Sequence, residues 1–346
     1  MEIAARLGST QPSFAIAAET LSELTRVGIS TTTVWRHHRE VMQQMEAEVE
    51  QEERTVPAWV MRKDLEAMEW IPAQDPIEGH ASVSIDGLVI LIREEGYREV
   101  KMVSVSEVTE REESEVAGSA GASFEEVEVA ENEVERGRQE GPKLERHSYR
   151  AVLGDKAAFA PALKGELARR RVHAVEKIAT VNDGAEWIWD QVQSYLPDRR
   201  VEVLDWSHGM QNLAKAGNAA WGEGTEEARA WLAQRETELW LGQRMKVDIA
   251  LHQLPRRYKE RGKAIRQVQE YVDRHWERIR YDRFREEGHP IGSGTVESGA
   301  KNVVQWRMKR GGQRWSRPGA ARMLIAVGEV HSKRWSPSRR RFAKAA

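Results

Sequence analysis

Four carboxylates and one histidine have the residue types and positions for phosphoryl chemistry. Asp86 follows Val83-Ser84-Ile85, Asp183 follows Ala179-Thr180-Val181-Asn182, and Asp205 follows Val201-Glu202-Val203-Leu204. Each of the three acids ends a short apolar run and begins a turn or a helix. Glu297 lies in a glycine-rich stretch, Pro290-Ile291-Gly292-Ser293-Gly294-Thr295-Val296-Glu297-Ser298-Gly299, ahead of a basic helical pattern. Carboxylate oxygens are hard ligands. Two Mg²⁺ ions about 4 Å apart need such oxygens from several elements, at least one of them bridging. Asp86, Asp183 and Glu297 could supply them, for in-line attack on a phosphodiester. Asp205 and His208 stand at i and i+3, on one side of a helix start. His208 suits orienting a substrate, assisting a proton transfer or binding a phosphate.

Each position also has a plain structural reading. Asp86-Gly87 between two apolar runs is a hairpin-turn signal. Asp183 and Asp205 fit helix N-caps, and His208 fits a surface histidine. Glu297 resists such a reading, because no Ser, Thr, Asp or Asn stands three residues before it to complete a capping box. The glycines around it read as a tight turn with close backbone approaches. HExxH, GxxxxGK[ST] and GxSxG motifs are absent, and with no cysteine there is no thiolate metal site, disulfide or cysteine nucleophile.

The elements that must position these residues form a mixed α/β pattern. Residues 81–87, 88–92 and 98–105 read as three consecutive antiparallel strands, with Tyr149–Leu153 a further candidate for the sheet. Residues 174–184 and 200–205 read as parallel strands around an amphipathic helix containing Trp187, Ile188, Val192 and Leu196. Three antiparallel strands followed by a βα crossover is the layout of an RNase H-like sheet, in which the first and fourth strands lie side by side. The expected domains are a helix-turn-helix segment with a charged helical connector at 1–55, the sheet at 80–206, an all-α insertion at 207–288, a return helix with a basic region at 289–335, and a basic tail at 336–346. A glutamate-rich segment near 107–142 interrupts the sheet and reads as a solvated insert.

In the N-terminal segment, residues 13–27 form a helical pattern, Val27-Gly28-Ile29 a turn, and Ser30 a cap for a helix opening Thr31-Thr32-Thr33-Val34-Trp35-Arg36. Thr32, Thr33 and Arg36 suit contacts with DNA phosphates and base edges, and an ordinary helical hairpin is the competing reading. The first helix of a three-helix module is poorly represented, which reads as a shortened segment. Net charge is only −2, yet residues 301–346 carry thirteen Lys and Arg against one Glu. That asymmetry points to a nucleic-acid face or a solvated basic tail. The candidate contacts are Lys301, Arg307, Lys309, Arg310 and Arg314. Most of the thirteen Trp read as core anchors. With no signal-peptide core and no long apolar run, export and membrane spanning are not expected; a cytoplasmic, nucleoid-associated protein is.

The ordered set Ser84-Ile85-Asp86-Gly87, Asp183-Gly184-Ala185-Glu186-Trp187, Asp205-Trp206-Ser207-His208 and Gly292-Ser293-Gly294-Thr295-Val296-Glu297-Ser298 resembles the DDE transposases of bacterial insertion sequences, of the Kra-family type in the Mutator-like group. Gly96-Tyr97-Arg98-Glu99-Val100-Lys101 and Arg307-Met308-Lys309-Arg310-Gly311-Gly312 add to it, and the match spans about 15 to 335. The resemblance implies that Asp86, Asp183 and Glu297 are the metal-binding triad, with two Mg²⁺ or Mn²⁺ ions, and that Asp205 and His208 match the (C/D)xxH motif. It implies cleavage at terminal inverted repeats and strand transfer into target DNA by a homo-oligomer on double-stranded DNA. Two other outcomes are carried alongside: a transposon-derived DNA-binding protein that no longer cuts, and a stand-alone RNase H-like nuclease.

Overall fold

The computed structural model describes residues 2–56, 73–110, 141–254 and 259–335. The helices α1 (Glu2–Thr10), α2 (Phe14–Thr25) and α3 (Thr31–Thr55) come first. Strands β1 (His80–Ile92), β2 (Gly96–Thr109) and β3 (Lys143–Leu153), helix α4 (Lys156–Arg169), strand β4 (Lys177–Asn182), helix α5 (Glu186–Tyr195) and strand β5 (Val201–Leu204) follow. Helices α6 (Trp206–Trp221), α7 (Glu226–Trp240), α8 (Arg244–Gln253), α9 (Lys259–Arg274) and α10 (Tyr281–Glu286) form an all-helical stretch. The chain then returns in α11 (Gly294–Gly299), which runs through a π-helical segment, Ala300–Gln305, to a last turn at Met308. Helix α12 (Arg317–His331) closes the described chain.

The sheet is mixed, in the order β3-β2-β1-β4-β5. Strands β1, β2 and β3 are antiparallel neighbours, while β4 runs parallel to β1 and β5 parallel to β4. The antiparallel trio is therefore assembled differently from the sequence expectation. Residues 80–92 make one strand, and Asp86-Gly87 lies in mid-ladder, opposite Met102 and Lys101. The turn comes later, where Glu94 and Gly96 take positive φ of 68° and 76°.

The cause of the misleading signal is a change of core. Ala81, Val83 and Ile85 pack on one face with Phe159, Leu163 and Ile188. Leu88, Ile90 and Ile92 pack on the other, with Met42, Val296 and Met323. Side chains alternate between faces, and β1 places its apolar residues at odd positions before Asp86 and at even positions after it, with Ser82 and Ser84 buried on the second face. The two polar or small residues at the crossing look like a turn.

The expected insert also begins later than 107. Glu107, Val108 and Thr109 still pair with β3, opposite Glu145, Leu144 and Lys143. Most of the glutamate-rich segment, 111–140, and the basic tail lie outside the described residues.

At the N-terminus, α1 is a formed helix ahead of the helical pattern that the sequence shows from residue 13. It packs with α2 and α3 through Ala4, Ala17, Ala18, Leu21 and Val34. Ser30 caps α3 as expected, its hydroxyl accepting from Thr33 N at 3.1 Å. The rest of α3 is more than a charged connector. Met42, Met45 and Val49, at helical spacing, enter the main core. Near its end Glu53 is buried, and its carboxylate accepts from Arg150 Nε at 2.7 Å and Nη2 at 3.0 Å. Burial alone would raise that carboxyl, but the Arg150 and Arg169 cations hold it below the usual range. Two-pronged charge-assisted bonds of this kind fix register as well as energy, so α3 is locked to β3 and α4. Among the described residues no helix is long and apolar enough to cross a membrane.

Candidate active site

The site forms where β1, β4 and β5 stop being a regular ladder. The β1–β4 pairing ends at Val83 with Thr180. Two residues on, the Asn182 side chain takes over: its Oδ1 accepts from Ile85 N at 2.7 Å, and its Nδ2 donates to Thr180 Oγ1 at 2.7 Å. The bridge is buried and holds the two strands in register as they part. Asp86 and Asp183 are the next residue on each. Asp183 Oδ1 accepts from Ala185 N at 2.9 Å, turning the chain into α5.

On the third strand, Asp205 N donates to Asn182 O at 2.7 Å, which carries the ladder one residue past β5. Asp205 caps α6 as the sequence allowed, accepting from His208 N at 2.8 Å. It does more than cap. Its Oδ1 bonds His208 Nδ1 at 3.0 Å, and its Oδ2 accepts from Ser293 N at 2.6 Å. Burial would raise the Asp205 carboxyl, but the bonds from His208 and Ser293 bring it below its ordinary value. The bond to Asp205 in turn raises His208, with Asp205, Asp183 and Glu297 adding to the attraction.

Glu297 arrives on α11. Ser293 Oγ donates to its Oε1 at 3.3 Å, and Trp206 N donates to Ile291 O at 2.9 Å, so the return segment is stitched to the start of α6. Among its glycines the structural demand falls on Gly299 alone. A Cβ there would stand 2.6 Å from Tyr149 Cε1 and 2.7 Å from Met102 Cε. Gly292 and Gly294 have no protein atom within 4 Å of a Cβ position and no positive φ, so no close backbone approach requires glycine there. The π-helical turn after Gly299 shifts the helix phase, a feature that recurs at functional sites, and keeps Val303 and Val304 in the core.

One ligand atom each from Asp205, His208 and Glu297 lies within 4.8 Å of the others, close enough to hold a cation. Asp86 and Asp183 are outside that set among the described residues, but they are electrostatically part of the site. Burial raises the Asp86 carboxyl, and the neighbouring charges of Asp183 and Glu297 raise it further. Asp86 and Asp183 line an open cleft of about 460 Å³ with Trp187, Lys101, Gln305 and Lys309. Lys101 Nζ sits 3.8 Å from the Trp187 ring centroid, a cation–π contact at the wall of the cleft.

The candidate contact residues divide. Thr32, Arg36, Lys301, Lys309, Arg310 and Arg314 are exposed, and Thr33 is half-buried against the Ser30 cap. Arg307 is not a surface cation. It is 2% exposed, its Nε donates to Gly8 O at 3.0 Å, and its guanidinium lies over Phe14 and Trp315. It docks the N-terminal helices on the return segment, and partners some 300 residues away in sequence gave no local sign of that.

Sequence reasoning missed Asn182, Ser293 and Tyr271. Tyr271 of α9 packs on Gly184, where a Cβ would overlap its ring, and the Asp183 and Asp205 charges, after burial, raise its hydroxyl. The one available signal was the position of Asn182 and Gly184 on either side of Asp183. No protein-family model and no curated protein sequence matches this chain.

Proposed function

We propose that this chain is a DNA transposase that cuts at the terminal inverted repeats of its element and joins the ends to target DNA. The observation that carries the reading is the convergence of carboxylates from separate elements. Asp86, midway along β1, and Asp183, just past the end of the adjacent parallel strand β4, lie beside the Asn182 bridge, and Glu297 returns to them after a long helical stretch. The strand order and directions support an RNase H-like domain, and α2, α3 and their capped turn support a helix-turn-helix.

Asp86, Asp183 and Glu297 would hold two Mg²⁺ or Mn²⁺ ions, with Asp205 and His208 beside them. The donor set fits: carboxylate oxygens suit these hard cations, and an imidazole beside them is tolerated by Mn²⁺. The ions supply activation of the attacking oxygen and charge stabilisation on the leaving oxygen. The chain's own groups do the rest. Asp205 orients the His208 ring and keeps it charged more readily, so that it can hold a scissile phosphate or give a proton to the leaving oxygen. Lys301, Lys309, Arg310 and Arg314 neutralise DNA phosphates, and Thr32, Thr33 and Arg36 contact the end sequence. A homo-oligomer on double-stranded DNA would bring two ends together.

The test is cleavage of DNA carrying the inverted repeats that flank the gene, in Mg²⁺ or Mn²⁺. Asp86→Ala, Asp183→Ala and Glu297→Ala are expected to abolish cutting while DNA binding stays largely intact. Near-normal cutting by any one of them removes that residue from the ligand set. Tight end binding with no cutting by the unaltered chain would replace the reading with a DNA-binding protein left from a transposon.

A further inference from the structure

A second cleft, of about 720 Å³, lies between the front of α3 and the segment that leads into α12. None of Asp86, Asp183, Asp205, His208 and Glu297 lines it, and its charge is the opposite of the carboxylates'. Arg39, Arg93, Arg307, Arg314 and Arg322 line it, and no Asp or Glu does. One of these cations is built in rather than solvated. Arg307 is 2% exposed, spends its Nε on Gly8 O, and leaves Nη2 buried with no acceptor. A buried guanidinium with an unused donor is costly to keep. Burial draws its pKa down to about 10, as expected of a cation without a compensating carboxylate. His38 on the same wall is pushed down to about 3, by burial first and then by the Arg307 and Arg322 charges. The histidine therefore stays neutral in a positive field. Among the described residues only Arg322 of this set has an acidic partner, Glu46, at 2.8 Å.

The cleft also carries an aromatic face. Trp35 is 45% exposed, an unusual setting for so large an apolar ring, and Arg39 one turn on lies 5.6 Å from its centroid. Free guanidinium donors recognise phosphate oxygens, and an exposed indole stacks on a base. The volume is in the range of small-molecule sites and exceeds what a bare phosphate needs.

We propose that this cleft binds a nucleotide, its phosphate held by Arg39 and Arg314 in the field of the buried Arg307 guanidinium and its base stacked on Trp35. The source is either an unpaired nucleotide of a DNA strand or a free nucleotide. The site stands on its own geometry; the proposed transposase reading bears only on where a strand would come from.

The experiment is fluorescence anisotropy of a labelled, 5′-phosphorylated (dT)₅ in EDTA, with melting curves to confirm that each variant is folded. Saturable binding is expected. Arg39→Gln with Arg314→Gln should weaken it at least about tenfold, and Trp35→Ala about tenfold, with Trp35→Phe close to the unaltered protein. Thymidine monophosphate should displace the probe at lower concentration than inorganic phosphate. If the monophosphate binds as tightly as (dT)₅, the ligand is a free nucleotide; if (dT)₅ binds far more tightly, it is a strand. No saturable binding overturns the site. So does binding indifferent to both sets of variants, and so does equal displacement by inorganic phosphate with no effect of Trp35→Ala, which would leave a simple anion site. Because no metal is present, and Glu297→Gln should not alter the result, a failure of DNA cutting leaves this test intact.

Discussion

Ser293 N donates to Asp205 Oδ2 at 2.6 Å, across 88 positions of chain. With the bond from Trp206 N to Ile291 O, it ties the start of α6 to the segment that brings Glu297 back. Asp205 is 2% exposed, so its removal strands the Ser293 and His208 N–H groups in a dry place. Unsatisfied buried donors cost about 1–3 kcal/mol each. Asp205→Ala is expected to lower unfolding stability by about 3 kcal/mol, and Asp205→Asn, which keeps an acceptor oxygen, by clearly less. Urea unfolding measures both. Equal midpoints for Asp205→Ala and the unaltered protein would show that the bond does not hold the return segment.

The same carboxylate is shared with a cation-sized cluster, and ion binding should be visible without any reaction. An ion that binds only the folded state stabilises by about 2.7 kcal/mol at a hundredfold excess over its Kd. Mn²⁺ is expected to raise the melting temperature, and Glu297→Gln to remove most of the rise. Asp86→Asn and Asp183→Asn separate two arrangements. Abolition of the rise in both places the ions among all the carboxylates. An unchanged rise confines the ion to Asp205, His208 and Glu297.

Gly184 makes a packing prediction beside Asp183. A Cβ there would overlap the Tyr271 ring, with Tyr271 Cζ at 2.6 Å. Overpacking of this kind costs about 1–3 kcal/mol. Gly184→Ala should destabilise by that amount, and Tyr271→Ala should remove the penalty in the double variant, a coupling that a double-mutant cycle reads directly. Additive effects would mean that Tyr271 moves aside freely.

The legibility of this chain was uneven for physical reasons. The long helices, the β4-α5-β5 crossover and the Ser30 cap were plain in the sequence, because periodicity and caps are local. The carboxylates were also plain, since Asp86, Asp183 and Asp205 each end an apolar run, although Asp86 proves to lie within β1 and only the other two follow strand ends. What failed was non-local. Asp86-Gly87 imitates a turn because β1 changes cores there. Arg307 looks like one cation of a basic surface until Gly8, Phe14 and Trp315 close over it. The Asn182 bridge is invisible because its partner, Ile85 N, is an ordinary backbone group 97 positions away.

Arg307 and its exposed neighbours should therefore behave differently in DNA binding. Neutralising Lys301, Lys309 or Arg310 is expected to weaken binding across sequences and to flatten the salt dependence, by a slope of about 0.9 for each DNA phosphate that no longer has its cation. Arg307→Gln should instead lower the melting temperature by loosening the N-terminal helices, since it removes the Nε bond to Gly8 O and the stacking on Phe14 and Trp315. An unchanged salt slope for all three surface variants would reduce that face to a solvated one.

Acid should destabilise the protein through its buried histidines. Burial holds His38 down to about 3, helped by Arg307 and Arg322, and holds His80 and His275 down to about 4. In the unfolded chain these groups titrate near 6.5. Above that value both states are neutral and nothing changes. Below it the unfolded state binds more protons than the folded one, so stability falls as pH drops from about 6.5 toward these lowered values. For His38 the loss between pH 7 and pH 5 is about 2 kcal/mol. His38→Leu removes the titrating group and the unpartnered Nε2 together. Its loss of stability from pH 7 to pH 5 should be smaller than that of the unaltered protein by about that amount, read from urea midpoints at the two pH values. An identical pH dependence in both proteins would mean that His38 is not held neutral against the arginines.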